Sequence, residues 1–239
     1  MQNKTIAIHQ PNFFPWLGYF SKIIRADHFV YLDHVRSNTI QTLIKRVTII
    51  VASQSQWLTI PLKKGHADFP QIKEMEIDNT TPFSQKQLKT IELNYKKAPY
   101  FNEVMQLVQN YYASEEKLIA VRNIAFIEAV CAKLHIHTPR IRSSELDCRR
   151  TSNEMLIEIT KKLGGNRYMC GGGSADYQDD DKFKEANIEV VYQNFEHPIY
   201  PQFNAEKFIP GLSIIDALMN IGFKGVKELL ISTSKSAIN

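Results

Sequence analysis

Residues 5–33 read TIAIHQPNFFPWLGYFSKIIRADHFVYLD. The first five are a short apolar run that stops at His9-Gln10-Pro11, which reads as a buried strand ending in a polar loop. Residues 16–25 place Trp16, Tyr19, Phe20, Ile23 and Ile24 at helical spacing. Residues 28–32 form a second apolar run ending at Asp33. Strand, loop, helix, strand within about 30 residues describes a βαβ unit with a parallel sheet.

The same alternation returns late in the chain. Residues 140–143 and 167–170 are strand candidates, with a helix between them that starts at Thr151/Ser152 and stops at Gly164-Gly165. A Gly171-Gly172-Gly173-Ser174 loop, a short helix over 181–186 and a strand over 188–192 follow. Residues 47–51 and 57–60 read as a hairpin. Residues 84–135 lose the strand signals and read as a helical block, with Pro99 separating two helices. The last forty residues carry Pro-rich loops and a helix over 213–220. The expected fold is therefore α/β, a Rossmann-like parallel sheet with a helical insertion and a loop-and-helix C-terminal segment. One domain over 1–239 is the first reading; two docked lobes, 1–135 and 136–239, is the alternative.

Composition narrows the function classes. The chain has 239 residues, 44% apolar and 23% charged, which is ordinary globular usage. The net charge of +4 is mild, and no Lys/Arg block with interleaved aromatics points to nucleic acid. Cys131, Cys148 and Cys170 form no CxxC pair, against a disulfide framework or a thiolate zinc site. No apolar run reaches about 18 residues, and the first residues lack a signal-peptide pattern. A cytoplasmic location with reduced thiols is expected.

In open parallel sheets ligands bind beyond the carboxyl ends of the strands. That rule selects the loops 9–15, 33–37, 143–150 and 171–181. In the first, His9 ends a strand, Gln10 and Asn12 follow, and Gly18 and Tyr19 open the helix. Gly18 is expected to let a ligand approach the helix start, whose amides favour a phosphate or carboxylate. His9 is a proton donor or a cation against a developing phosphate charge, or else a brace for the loop. Asp33 binds a hydroxyl or an amine, or forms a strand-end turn. Ser143 and Ser144, with Arg149 and Arg150, combine hydroxyls and guanidinium forks suited to phosphate, or are solvated charges. Gly171, Gly172 and Gly173 allow close backbone approach, without the full spacing of a nucleotide-binding glycine motif. His135 and His137 share a face on an extended link, with no third metal ligand near them. Asp216 lies in an apolar helix and needs a partner.

IAIHQPNFFPWLGYFSKIIRADHFVYLD resembles the opening signature of the WbqC-like family. WLTIPL, YKKAPYF, IRSSEL, YMCGGGSADY, FEHPIYPQF and FIPGLSIIDALMNIG match it further, so the resemblance covers essentially the whole chain. It implies a role in building bacterial O-antigen and other surface polysaccharides, where amino sugars are made and decorated. Relatives tend to carry an Asn-Arg-rich segment after Asp33. Here residues 37–46 read SNTIQTLIKR, so an arginine contact made there falls to Lys45 or Arg46 or is missing.

The opening is also similar in layout to nucleotidyltransferase-like Rossmann domains, including pantothenate-synthetase-type amide ligases. Gly18-Tyr19 stands where those carry Gly-His, and Ser143-Ser144 resembles their late phosphate-binding segment. This is likeness of fold. Together the resemblances imply an enzyme that forms an amide on a nucleotide-linked amino sugar from a small acid or amino acid, with ATP and Mg2+ as candidate cofactors. His9 and Asp33 are then the catalytic candidates, Asp33 orienting or deprotonating the amine. Transfer from an acyl-CoA thioester, or a non-catalytic module of a polysaccharide assembly complex, are the alternatives.

Overall fold

Residues 5–9 form the central strand of the sheet in the computed structural model, which describes residues 3–37, 42–63, 70–171 and 178–235. This strand, β1 (Thr5–His9), leads through a loop to α1 (Leu17–Ile24) and β2 (His28–Tyr31). β3 (Arg46–Val51) and β4 (Gln54–Thr59) follow, then α2 (Phe83–Tyr95), α3 (Phe101–Ala113) and α4 (Ile119–Lys133). The chain returns to the sheet with β5 (Arg140–Arg142), α5 (Ser152–Lys162), β6 (Arg167–Cys170), α6 (Asp180–Glu185) and β7 (Glu189–Tyr192), and ends in α7 (Ile214–Lys235).

The five-stranded sheet has the order β5-β2-β1-β6-β7, and every pairing is parallel. Counted along the chain within this sheet, that is 3-2-1-4-5, the Rossmann order. The fold is α/β. The strand order reverses between β1 and β6, and there the two strands pair only from Thr5↔Arg167 to Ala7↔Met169. Beyond Ala7 they part.

The strands alternate as a sheet covered on both faces must. Ile6, Ile8, Val30, Tyr168 and Cys170 pack with Met155 and Ile159 of α5 and Phe183 of α6. Ala7, Phe29, Tyr31 and Met169 face a larger core built from α1, α4, α7 and the hairpin. α1 is buried on nearly every side: Leu17 through Ile23 are all covered, Lys22 among them.

The hairpin turns earlier than its sequence suggests. β3 and β4 pair antiparallel from Arg46↔Thr59 to Val51↔Gln54. Their loop is only Ala52-Ser53, both at positive φ (50° and 63°), the twist-matched two-residue turn. α7 also runs past the stop expected near Asn220. Gly222 takes φ 69° and ψ 175° and breaks it there, but the helix resumes to Lys235. The Tyr100 ring would lie 2.8 Å from a Cβ at that glycine. No helix among the described residues is long and apolar enough to cross a membrane.

Candidate functional site

Where β1 and β6 part, a carbonyl loses its ladder partner. His9 O accepts from Leu32 N, just past the end of β2, so by strand alternation Ile8 O points the other way, toward β6. The Lys22 ammonium fills that place, donating to Ile8 O at 2.8 Å. Lys22 is 2% exposed. Burial lowers its pKa to about 8, with Cys170 opposing the shift.

A cleft of about 630 Å³ opens at this point. Its walls include His9, Gln10, Lys22, Arg36, Asn153 and Gly171. Among the described lining residues none is a carboxylate, and the two charged ones, Lys22 and Arg36, are both cations. Ser152 and Asn153 bring in the start of α5, whose Thr151 N-cap makes no side-chain cap bond. The start of a helix favours an anion through its dipole.

His9 lies half-buried beneath the edge of the Tyr19 ring, 4.9 Å between centroids. Its Nε2 is 3.3 Å from Asn12 Nδ2. Burial, reinforced by Lys22, lowers the imidazole to about 3. It is uncharged at neutral pH, so the cationic role expected for it passes to Lys22. Tyr19 is itself buried and donates to Gln10 O at 3.0 Å, which fixes the loop. The far end of that loop is held by α7. Ser213 Oγ donates to Phe14 O at 2.9 Å and Ile214 N to Pro15 O at 2.8 Å.

Gly18 serves packing. A Cβ there would meet the Trp16 ring at 2.1 Å, so the space expected for a ligand is filled by indole. Asp33 is fully buried and saturated. It accepts from Arg142 Nε (2.8 Å), Ser143 Oγ (3.1 Å), Ser144 N (2.9 Å) and Ser144 Oγ (2.8 Å). Burial raises its pKa, but these donors outweigh that and hold it below the usual carboxylate value. Asp33, Ser143 and Ser144 thus form a knot joining the ends of β2 and β5, into which His34 Nδ1 also reaches, 2.6 Å from Ser143 Oγ.

Arg149 and Arg150 are exposed, near Asp147 (3.6 Å) and Glu154 (3.7 Å) respectively. Among the expected residues the structure therefore brings together His9, Gln10, Asn12 and Gly171, and separately Asp33, Ser143 and Ser144. Gly172 and Gly173 lie outside the described residues. His135 and His137 are both exposed. Among the described residues no group of three His, Cys, Asp or Glu is placed to hold a metal. Among the described lining residues of the cleft none is a carboxylate, the ligand type a resident Mg2+ takes.

Lys22 and Arg36 were missed from sequence. The available signal was a lone lysine inside YFSKII, a helix apolar nearly all round with no wet face for it.

A profile of the WbqC-like protein family matches residues 10–228. The chain belongs to the WbqC-like family. It is 28% identical over 222 residues to the uncharacterized protein Rv1507c of Mycobacterium tuberculosis, covering 92% of this chain and 94% of that one. No solved structure matches the chain. The matched span begins at Gln10 and includes the rest of the first loop, Lys22, Arg36 and the start of α5.

Proposed function

We propose that this WbqC-like protein is an enzyme of bacterial surface-polysaccharide synthesis that forms an amide on a nucleotide-linked amino sugar. The observation that carries the reading is the cleft at the β1/β6 switch point, lined by two cations and the start of α5, with no carboxylate among its described residues. That is where a Rossmann sheet holds phosphates. Lys22 supplies the charge. Its ammonium is fixed by Ile8 O and the side chain is buried, and a buried charge interacts with phosphate more strongly than one in water.

The donor is a small carboxylate activated by ATP. Its oxygen attacks the α-phosphorus and pyrophosphate leaves. The sugar amine then attacks the acyl carbon; AMP departs with the C–O electron pair and the amine proton passes to solvent. In this scheme Lys22 and Arg36 balance phosphate charge. The neutral His9 offers a hydrogen bond, and Asp33 positions Ser143 and Ser144 without touching substrate.

Thermal shift against ATP, CoA and a panel of nucleotide sugars tests the binding step. A ligand at 100 times its Kd adds about 2.7 kcal/mol of stability. Binders are then incubated with small acids, and pyrophosphate and amide are measured. Stabilisation by CoA but not ATP would move the reading to acyl-CoA transfer. No stabilisation by any nucleotide, nucleotide sugar or CoA would sink it.

A further inference from the structure

A second hollow lies against the loop that carries Asn12. It is small, about 190 Å³, and is lined by Asn12, Trp16, Arg46, Thr48, Trp57 and His197 with apolar neighbours. Sites for drug-sized ligands run to roughly 300–1,000 Å³, so this one suits a single ring. The chain has two tryptophans, and both line it.

Trp57 on β4 keeps 51% of its surface exposed, an uncommon amount for the largest apolar side chain. The Arg46 guanidinium stacks 4.1 Å from its ring centroid. Arg46 Nε is buried with no hydrogen-bond partner, and no carboxylate is paired with this arginine among the described residues. Trp16 is held in place. Its ring covers Gly18, meets Phe195 edge-on at 5.2 Å and lies 5.1 Å from His197. Asn12 is 3% exposed and its amide reaches His9 in the large cleft. The two cavities therefore share one polar contact.

We propose that this hollow seats the sugar ring of the nucleotide-linked acceptor, an inference that rests on the function proposed above. A pyranose has an apolar C–H face that lies against an indole and an edge of hydroxyls that needs hydrogen-bonding groups. Trp57 offers one open face, Arg46 backs the other, and Asn12 and Thr48 line the same hollow. A purine would need a slot between two planes. Here Trp57 already carries Arg46 on one face and Trp16 already covers Gly18. The sugar then sits by Asn12 while its phosphates reach past His9 to Lys22.

Because both tryptophans line the hollow, intrinsic tryptophan emission reports on it directly. The probes are UDP-, dTDP- and GDP-linked hexosamines, the matching nucleoside diphosphates, free nucleosides and free glucosamine. Binding is measured in parallel by calorimetry. The nucleotide sugar is expected to change the emission, and the diphosphate alone to bind without changing it. Trp57→Ala is expected to weaken the nucleotide sugar at least fivefold and to leave the diphosphate within twofold, with Trp57→Phe restoring most of the loss. Lys22→Met is expected to weaken both.

If nucleotide sugars bind but Trp57→Ala leaves their affinity unchanged, or weakens diphosphate equally, the sugar seat is wrong and the phosphate cleft stands. An emission change with free nucleosides would make the hollow a base site and overturn the proposal. If neither diphosphates nor nucleotide sugars bind, the function itself fails and the sugar seat with it.

Discussion

Lys22 donates to Ile8 O, a carbonyl left open because β1 and β6 separate after Ala7. One side chain thus closes the sheet at its switch point and puts a positive charge into the cleft. Stability and ligand affinity are expected to respond to it in opposite directions.

The pH dependence follows from the lowered pKa. Lys22 titrates near 8 when folded, against 10.5 for the free side chain. Between those values the unfolded chain holds more protons, so the Lys22 contribution to stability rises with pH, by at most about 1.4 kcal/mol per unit. Affinity for a nucleoside diphosphate falls over the same interval as the ammonium discharges. Urea denaturation and calorimetry from pH 7 to 10 are expected to show the two slopes crossing. Lys22→Met is expected to abolish both and to weaken diphosphate binding about tenfold or more.

His9 is expected to stay neutral across the physiological range. Its folded pKa is about 3 against 6.5 for the free group. The unfolded state therefore binds the extra proton between those values, and stability drops as pH falls below about 6.5. NMR of the imidazole carbon and nitrogen shifts is expected to show a neutral ring at pH 5. A mid-point near 6.5 would restore the cationic role to His9.

Asp33→Asn separates scaffold from chemistry. The substitution removes charge from a carboxylate that accepts four hydrogen bonds and leaves Arg142 without its anion. A loss of about 2–4 kcal/mol is expected in chemical denaturation. Diphosphate affinity of the folded variant is expected to stay within about threefold. A much larger loss of affinity with unchanged stability would place Asp33 in contact with substrate.

Gly18→Ala tests why that glycine is there. The new methyl would overlap the Trp16 ring, and overpacking of this kind costs about 1–3 kcal/mol. Denaturation is expected to show that loss, with a change in tryptophan emission as the indole shifts.

The fold was readable wherever local pattern carries it. TIAIH and HFVY are apolar runs, the intervening helix repeats at 3.6 residues, and Gly164-Gly165 ends α5 where expected. The pairing of β1 with β6 joins residues about 160 apart, and no local periodicity encodes it. His9, Gln10 and Gly171 line the cleft and Asn12 touches His9, a placement legible because strand-end position is written in sequence. Lys22 was hidden, because its role depends on which carbonyl the sheet leaves open. Gly18 was misread because its reason is a ring two residues away, folded back over it. Asp33 looked reactive because its saturating donors arrive from residues 142–144, 109 to 111 positions downstream.

The clasp between Ser213 and Phe14 spans 199 residues. A chain emerging from the ribosome has made its first strand and loop long before the start of α7 exists to hold them. The first loop is therefore completed late in synthesis, and a shortened product lacking α7 would carry His9, Gln10 and Asn12 without the brace that sets them.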